Sequence, residues 1–105
     1  MWTWLIDLAL RLNAPVCDAD ALEARGVEQL SAGLDRQAIH SFEQAIACAP
    51  SERRYVLVVI ASCRARDDVR ARRWWPKVPA NKRGQLYQIC HRCGPAPDDD
   101  PGMPC

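Results

Sequence analysis

Cys90-His91-Arg92-Cys93 is the stretch whose residue types and spacing most suggest chemistry. Two thiols three residues apart at a helix end can share a zinc ion or form a redox pair. A structural zinc takes four ligands, and the chain has no second Cys-x-x-Cys, so His40, Cys17 or Cys105 would have to complete the shell through folding. Cys90 and Cys93 also suit the inner face of a closing helix, where cysteine packs as a small hydrophobe. Packing, metal and redox uses all stay open at this point, and packing is the expectation.

A second constellation is the basic run Arg64, Arg66, Arg70, Arg72, Arg73, Lys77, Lys82 and Arg83, interleaved with Trp74, Trp75 and Tyr87. Guanidinium and ammonium groups neutralise phosphates, and aromatic faces stack on bases. The expectation is a solvated helix face whose rings close the core, with contact to an acidic protein partner as the next use and nucleic acid after it. Catalysis finds no pattern. Glu28, Asp35, His40 and Glu43 fall on scattered helix faces, and no Ser, His and Asp set converges.

The elements that must position these groups come from a chain of 105 residues, enough for one small domain. The hydrophobic fraction of 49% is that of a globular protein. Net charge is +1, but the halves differ. Residues 1–52 hold three basic and eight acidic side chains, whereas residues 53–92 hold eleven basic and two acidic. Asp98, Asp99 and Asp100 return the balance near neutrality. No stretch reaches the roughly 18 apolar residues of a membrane span. Met1–Leu12 is apolar but contains Asp7 and Arg11 and lacks a basic start, so it reads as a helix covering its neighbour rather than as a leader. Six cysteines without an export signal predict reduced thiols in a cytoplasm.

Asp20 with Glu23 forms a capping-box pattern that starts a helix. Leu22, Gly26 and Leu30 recur every four residues on its inner face. Gly26 in a helix interior costs about 1 kcal/mol relative to Ala, which predicts close approach of a neighbouring element. Gly33 ends this helix and Asp35 caps the next. Ala38, Phe42, Ala45, Ile46 and Ala49 form the next apolar stripe, Pro50 stops it, and Ser51 caps a third helix. The run Tyr55–Cys63 is rich in β-branched residues yet is expected to be helical, because a lone strand would have no partner. Asp67 or Asp68 starts a fourth helix ending at Trp74-Trp75 and Pro76. Pro79 opens a fifth, with Leu86, Ile89, Cys90 and Cys93 inward, and Gly94-Pro95 closes it.

Gly26, Ala38, Phe42, Ala45 and Pro50 within residues 19–52 resemble the tetratricopeptide repeat, a helix-turn-helix unit of about 34 residues. Leu22 and Gln29 stand where that family commonly has Trp and Tyr. A degenerate second unit covers residues 53–75. The following segment resembles the C-terminal repeats of certain bacterial serine/threonine kinases and related lipoproteins, through Arg70 to Arg73, Trp74-Trp75, Val78-Pro79 and Ile89-Cys90. Kinase elements themselves are absent from the sequence.

The expected fold is all-α, with TPR-like hairpins and about five helices. Residues 1–17 form an apolar helix and linker, 18–94 the helical domain, and 95–105 a disordered acidic, Pro-rich tail. The resemblance implies a non-catalytic scaffold or adaptor that binds a protein partner along the groove of first helices. Glu23, Val27, Leu30, Arg54, Leu57, Ala61 and Arg64 would line that groove. The partner would be an acidic peptide or a kinase-linked protein, with self-association as another use. No cofactor, metal or small-molecule substrate is expected. The alternative is a nucleic-acid-binding or zinc-stabilised module built on the basic half and Cys90/Cys93.

Overall fold

The computed structural model describes residues 17–90. Five α-helices follow one another: α1 Ala19–Ser31, α2 Asp35–Cys48, α3 Glu52–Arg64, α4 Asp68–Trp74 and α5 Ala80–Cys90. A 3-10 turn, Trp75–Lys77, joins the last two. There is no strand among the described residues, and the fold is all-α. The helix expected over residues 2–12, the segment from His91 to Pro95 and the tail over residues 95–105 lie outside the described residues.

Helix boundaries follow local hydrogen-bond chemistry. The Ser51 hydroxyl accepts from the Arg54 amide at 3.2 Å, and Asp67 accepts from the Arg70 amide at 3.1 Å. Each satisfies a first-turn donor with no partner inside the helix. Two expected caps are corrected. The N-cap of α1 is Asp18, which accepts from the Ala21 amide at 3.0 Å, not Asp20. Helix α2 begins at Asp35 itself, with Leu34 at the cap position and no side-chain cap. The carboxylates of Asp20, Glu23 and Asp35 all turn toward arginines instead. Gly33, at φ +80°, makes the left-handed turn between α1 and α2.

Helices α1 to α4 pack in sequence, and α5 turns back onto α3. Helix α3 is therefore central, and every residue from Arg54 to Cys63 is buried or half-buried despite the strand-like composition. The α1–α2 contact is built on Gly26. A Cβ there would lie 2.6 Å from Phe42 Cδ1 and 2.9 Å from Cζ, so the ring occupies the space of the missing side chain. Phe42, Ala38, Ile39 and Ala45 are fully buried. Gln29 accepts a 2.6 Å hydrogen bond from the Ser41 hydroxyl across the same interface. Ala49, expected inward, caps the end of α2 and is exposed.

The second half closes on rings. Trp75 is buried, with Tyr87 edge-on at 5.7 Å and the Arg83 guanidinium 5.9 Å from its centre. Tyr55 stacks on Trp74 at 6.0 Å. In α5, Leu86 and Cys90 face inward, whereas Ile89, also expected inward, is 36% exposed.

The expectation of reduced thiols is corrected. Cys17 is disulfide-bonded to Cys48, and Cys63 to Cys90, with Cα separations of 5.4 and 5.0 Å. The first joins the start of α1 to the end of α2, and the second joins α3 to α5. Both Cys63 and Cys90 are buried. Their apolar positions are as the helical pattern indicates, but the two sulfurs meet.

Candidate partner-binding groove

The first turns of α1 and α3 are joined by two arginines of α3, which pair with Asp20 and Glu23 of α1. Arg54 is 8% exposed and acts as the hub. It donates to the Ala49 carbonyl at 2.6 Å and to Asp20 Oδ1 at 2.7 Å, and its Nε lies 3.3 Å from Glu23 Oε1. One side chain thus ties the start of α1, the end of α2 and the start of α3. Removing a partner from a buried ion pair leaves an uncompensated charge, so Arg54 has a structural role rather than a place on a binding surface. Arg53, the next residue, donates to Glu23 Oε2 at 3.0 Å while its side chain stays 70% exposed.

Beyond this anchor each of the two helices carries half-buried apolar residues on its following turns. Val27 and Leu30 follow Glu23 at helical spacing on α1, and Leu57 follows Arg53 on α3. All three apolar residues pack against the core and remain half-buried. At the far end, exposed Arg64 lies 3.4 Å from Asp35 at the start of α2. The surface is thus a part-covered apolar strip between two charged ends.

Of the expected groove residues, Glu23, Val27, Leu30, Leu57 and Arg64 fall on this strip. Arg54 and Ala61 do not, since Ala61 is fully buried. The register was misjudged on α3. Its inner face runs Arg54, Val58, Ala61, an i, i+4, i+7 series, with Val58 and Ala61 both fully buried. Exposed Arg53, one turn before Leu57, belongs with these residues as a further candidate.

The other constellations are engaged elsewhere. Bonded to Cys63, Cys90 has no thiolate to offer a zinc ion or a redox pair with Cys93. Among the described residues no cluster of three or more His, Cys, Asp or Glu side chains could hold a metal. Within the basic run, Arg70 reaches Glu43 at 3.8 Å and Asp67 at 3.9 Å. Arg83 donates to the Val78 carbonyl at 3.2 Å. Trp74 donates to Glu43 at 3.0 Å. Charge asymmetry between the halves is therefore spent in part on internal pairing, across α1–α3, α2–α3 and α2–α4. Arg66, Arg72, Arg73 and Lys77 remain exposed. His40 also faces solvent.

Comparison of this chain with family models, with curated proteins and with solved structures finds no match. Among the described residues no helix is long and apolar enough to cross a membrane.

Proposed function

We propose that this chain is a non-catalytic protein-interaction module of tetratricopeptide type, which receives an amphipathic, acidic peptide on the α1–α3 strip. The observation that carries this reading is the half-buried row Val27, Leu30 and Leu57 set between Arg53 and Arg64. An apolar face of a peptide would complete the burial of the three side chains. Arg53 and Arg64 keep exposed guanidinium donors beyond those used on Glu23 and Asp35, and guanidinium pairs strongly with carboxylate.

The test is selection of amphipathic acidic peptides from a displayed library, followed by titration against Leu57→Glu and the double variant Arg53→Glu, Arg64→Glu. Selected peptides should lose about tenfold or more in affinity for each variant, a loss of about 1.4 kcal/mol or more. Peptides that bind both variants as well as the parent chain would remove the strip from the binding surface.

The exposed Arg66, Arg72, Arg73 and Lys77 favour a second reading, contact with a phosphate backbone. Its signature is affinity for single-stranded nucleic acid that falls steeply with salt. Trp75 is buried and Trp74 is stacked on Tyr55, so this reading draws on charge rather than on base stacking. The expected cytoplasmic location rested on the lack of an export signal, and the reduced thiols that should accompany it are not found at Cys17, Cys48, Cys63 and Cys90. The two cross-links suit an oxidising compartment better.

A further inference from the structure

The α1–α2 and α3–α4 hairpins turn in the same way but with different residues at the pivot. In the first, the Gly33 amide donates to the Leu30 carbonyl at 3.1 Å and the Leu34 amide to Gln29 at 2.8 Å. In the second, Arg66 donates to Cys63 at 3.1 Å and Asp67 to Ser62 at 2.9 Å, with the same offsets. Both pivots are left-handed, Gly33 at φ +80° and Arg66 at φ +58°. Glycine adopts this conformation freely, whereas the Cβ of any other residue crowds the following carbonyl oxygen. Arg66 is the one side chain among the described residues held there. It does not serve the fold in return. It is exposed and makes no hydrogen bond or ion pair among the described residues.

Its surroundings suit a ligand. A cleft of about 320 Å³ lies between the two turns, lined by Leu34, Asp35 and Arg36 from one and by Ala65, the residue before Arg66, from the other. Leu34 is 47% exposed, and Arg36 is exposed as well. The Arg64–Asp35 pair that ends the strip brings the two turns together at 3.4 Å. We infer that Arg66 is a partner-binding residue, and that the strip continues past Arg64 into this cleft. The inference rests on the peptide reading proposed above and adds to it. Beyond its contact with Arg64, the peptide carries an apolar side chain for the cleft at Leu34 and Ala65, then a carboxylate for Arg66. An exposed guanidinium with no internal partner is free to take a carboxylate. Exposed Leu34 favours a peptide over a phosphate backbone, which has no apolar side chain to bury against it. A strained backbone at an exposed arginine is the kind of local cost that function, rather than folding, maintains.

The test separates binding from stability at this one residue. The probe is the pool of amphipathic acidic peptides selected on the parent chain, titrated against Arg66→Gly and Arg66→Lys of the full, oxidised chain. Arg66→Gly should weaken binding about fivefold or more. Its melting midpoint should hold or rise by up to about 5 °C, because glycine relaxes the turn. Arg66→Lys keeps both the charge and the strained backbone, and its affinity should stay within about twofold of the parent. Leu57→Glu tells this inference apart from the reading beneath it. Peptides lost on Leu57→Glu but bound equally by Arg66→Gly would overturn the role of Arg66 and leave the strip standing. Peptides indifferent to both variants, or a selection that yields none, would overturn strip and inference together. A lower melting midpoint in Arg66→Gly would make the arginine structural and overturn the inference. Affinity for a single-stranded oligonucleotide that falls in Arg66→Gly while peptide binding is unchanged would give Arg66 to phosphate, and overturns it too.

Discussion

The α1–α2 hairpin closes around an absent side chain, whereas the α3–α5 half closes around large ones. In the first, Gly26 makes room for Phe42, and small residues on α2 let the helices approach. In the second, Trp75, Tyr87, Tyr55 and Trp74 fill the space and a buried disulfide fixes α5 to α3. A pattern of small residues and one ring needs an unbroken register to work. Where that register is lost, bulky rings and a covalent link can still bury the same central helix, with less demand on spacing. Arg54 joins the two solutions by binding all three helix ends where they meet.

The contrast can be broken at its strongest point first. Phe42→Ala should cost about 3–5 kcal/mol, since the cavity falls where two helices touch. In a domain of this size that is a large part of the total stability, and thermal unfolding measures it directly. Replacing Cys63 and Cys90 together by Ala should cost about 2–4 kcal/mol. The same change at Cys17 and Cys48 removes a loop of similar length, 31 against 27 residues in separation. Loop entropy alone would make the two losses equal, so any excess at Cys63 and Cys90 reports their burial.

A finer test uses Gly26→Ala. Overpacking against the ring costs about 1–3 kcal/mol and Ala returns about 1 kcal/mol of helix propensity. The variant should therefore be less stable than the parent, and denaturant midpoints should show it. In a Phe42→Ala background the clash is gone, and the same substitution should become stabilising. The smallest effect belongs to the rim. Arg53→Ala breaks an exposed pair with Glu23 and should cost no more than about 1 kcal/mol, less at high salt. A larger loss would mean that Arg53 shares the structural role of Arg54.

Much of the fold was legible in residues that punctuate the chain. Gly33, Pro50, Ser51, Asp67 and Pro79 each mark a helix end by a local rule that tertiary structure did not override. The closeness of Gly26 and Phe42 was legible too, because an interior glycine in a helix asks for a neighbour. The caps at Asp20 and Asp35 were misread for one reason. A carboxylate near a helix start serves an unpaired amide or a passing guanidinium equally well, and only the folded chain brings the guanidinium near. Cysteine pairing was not legible, since helical spacing shows which thiols are buried but not which two meet. The partial exposure of Glu23, Val27 and Leu30 follows from their helical spacing on α1. The burial of Arg54 and Ala61 was not legible, because it depends on which face of α3 meets its neighbours, and that face runs through Arg54, Val58 and Ala61.

The two cross-links also divide the backbone into stretches that carry load and stretches that do not. Tension applied at Cys17 and Cys90 passes through sulfur rather than through residues 18–47 or 64–89. Only the span between Cys48 and Cys63 can lengthen, by an extended reach of about 50 Å, compared with about 250 Å once both bonds are cut. Pulled at Cys17 and Cys90, the oxidised domain would behave as a short stiff link with α3 as its single extensible part.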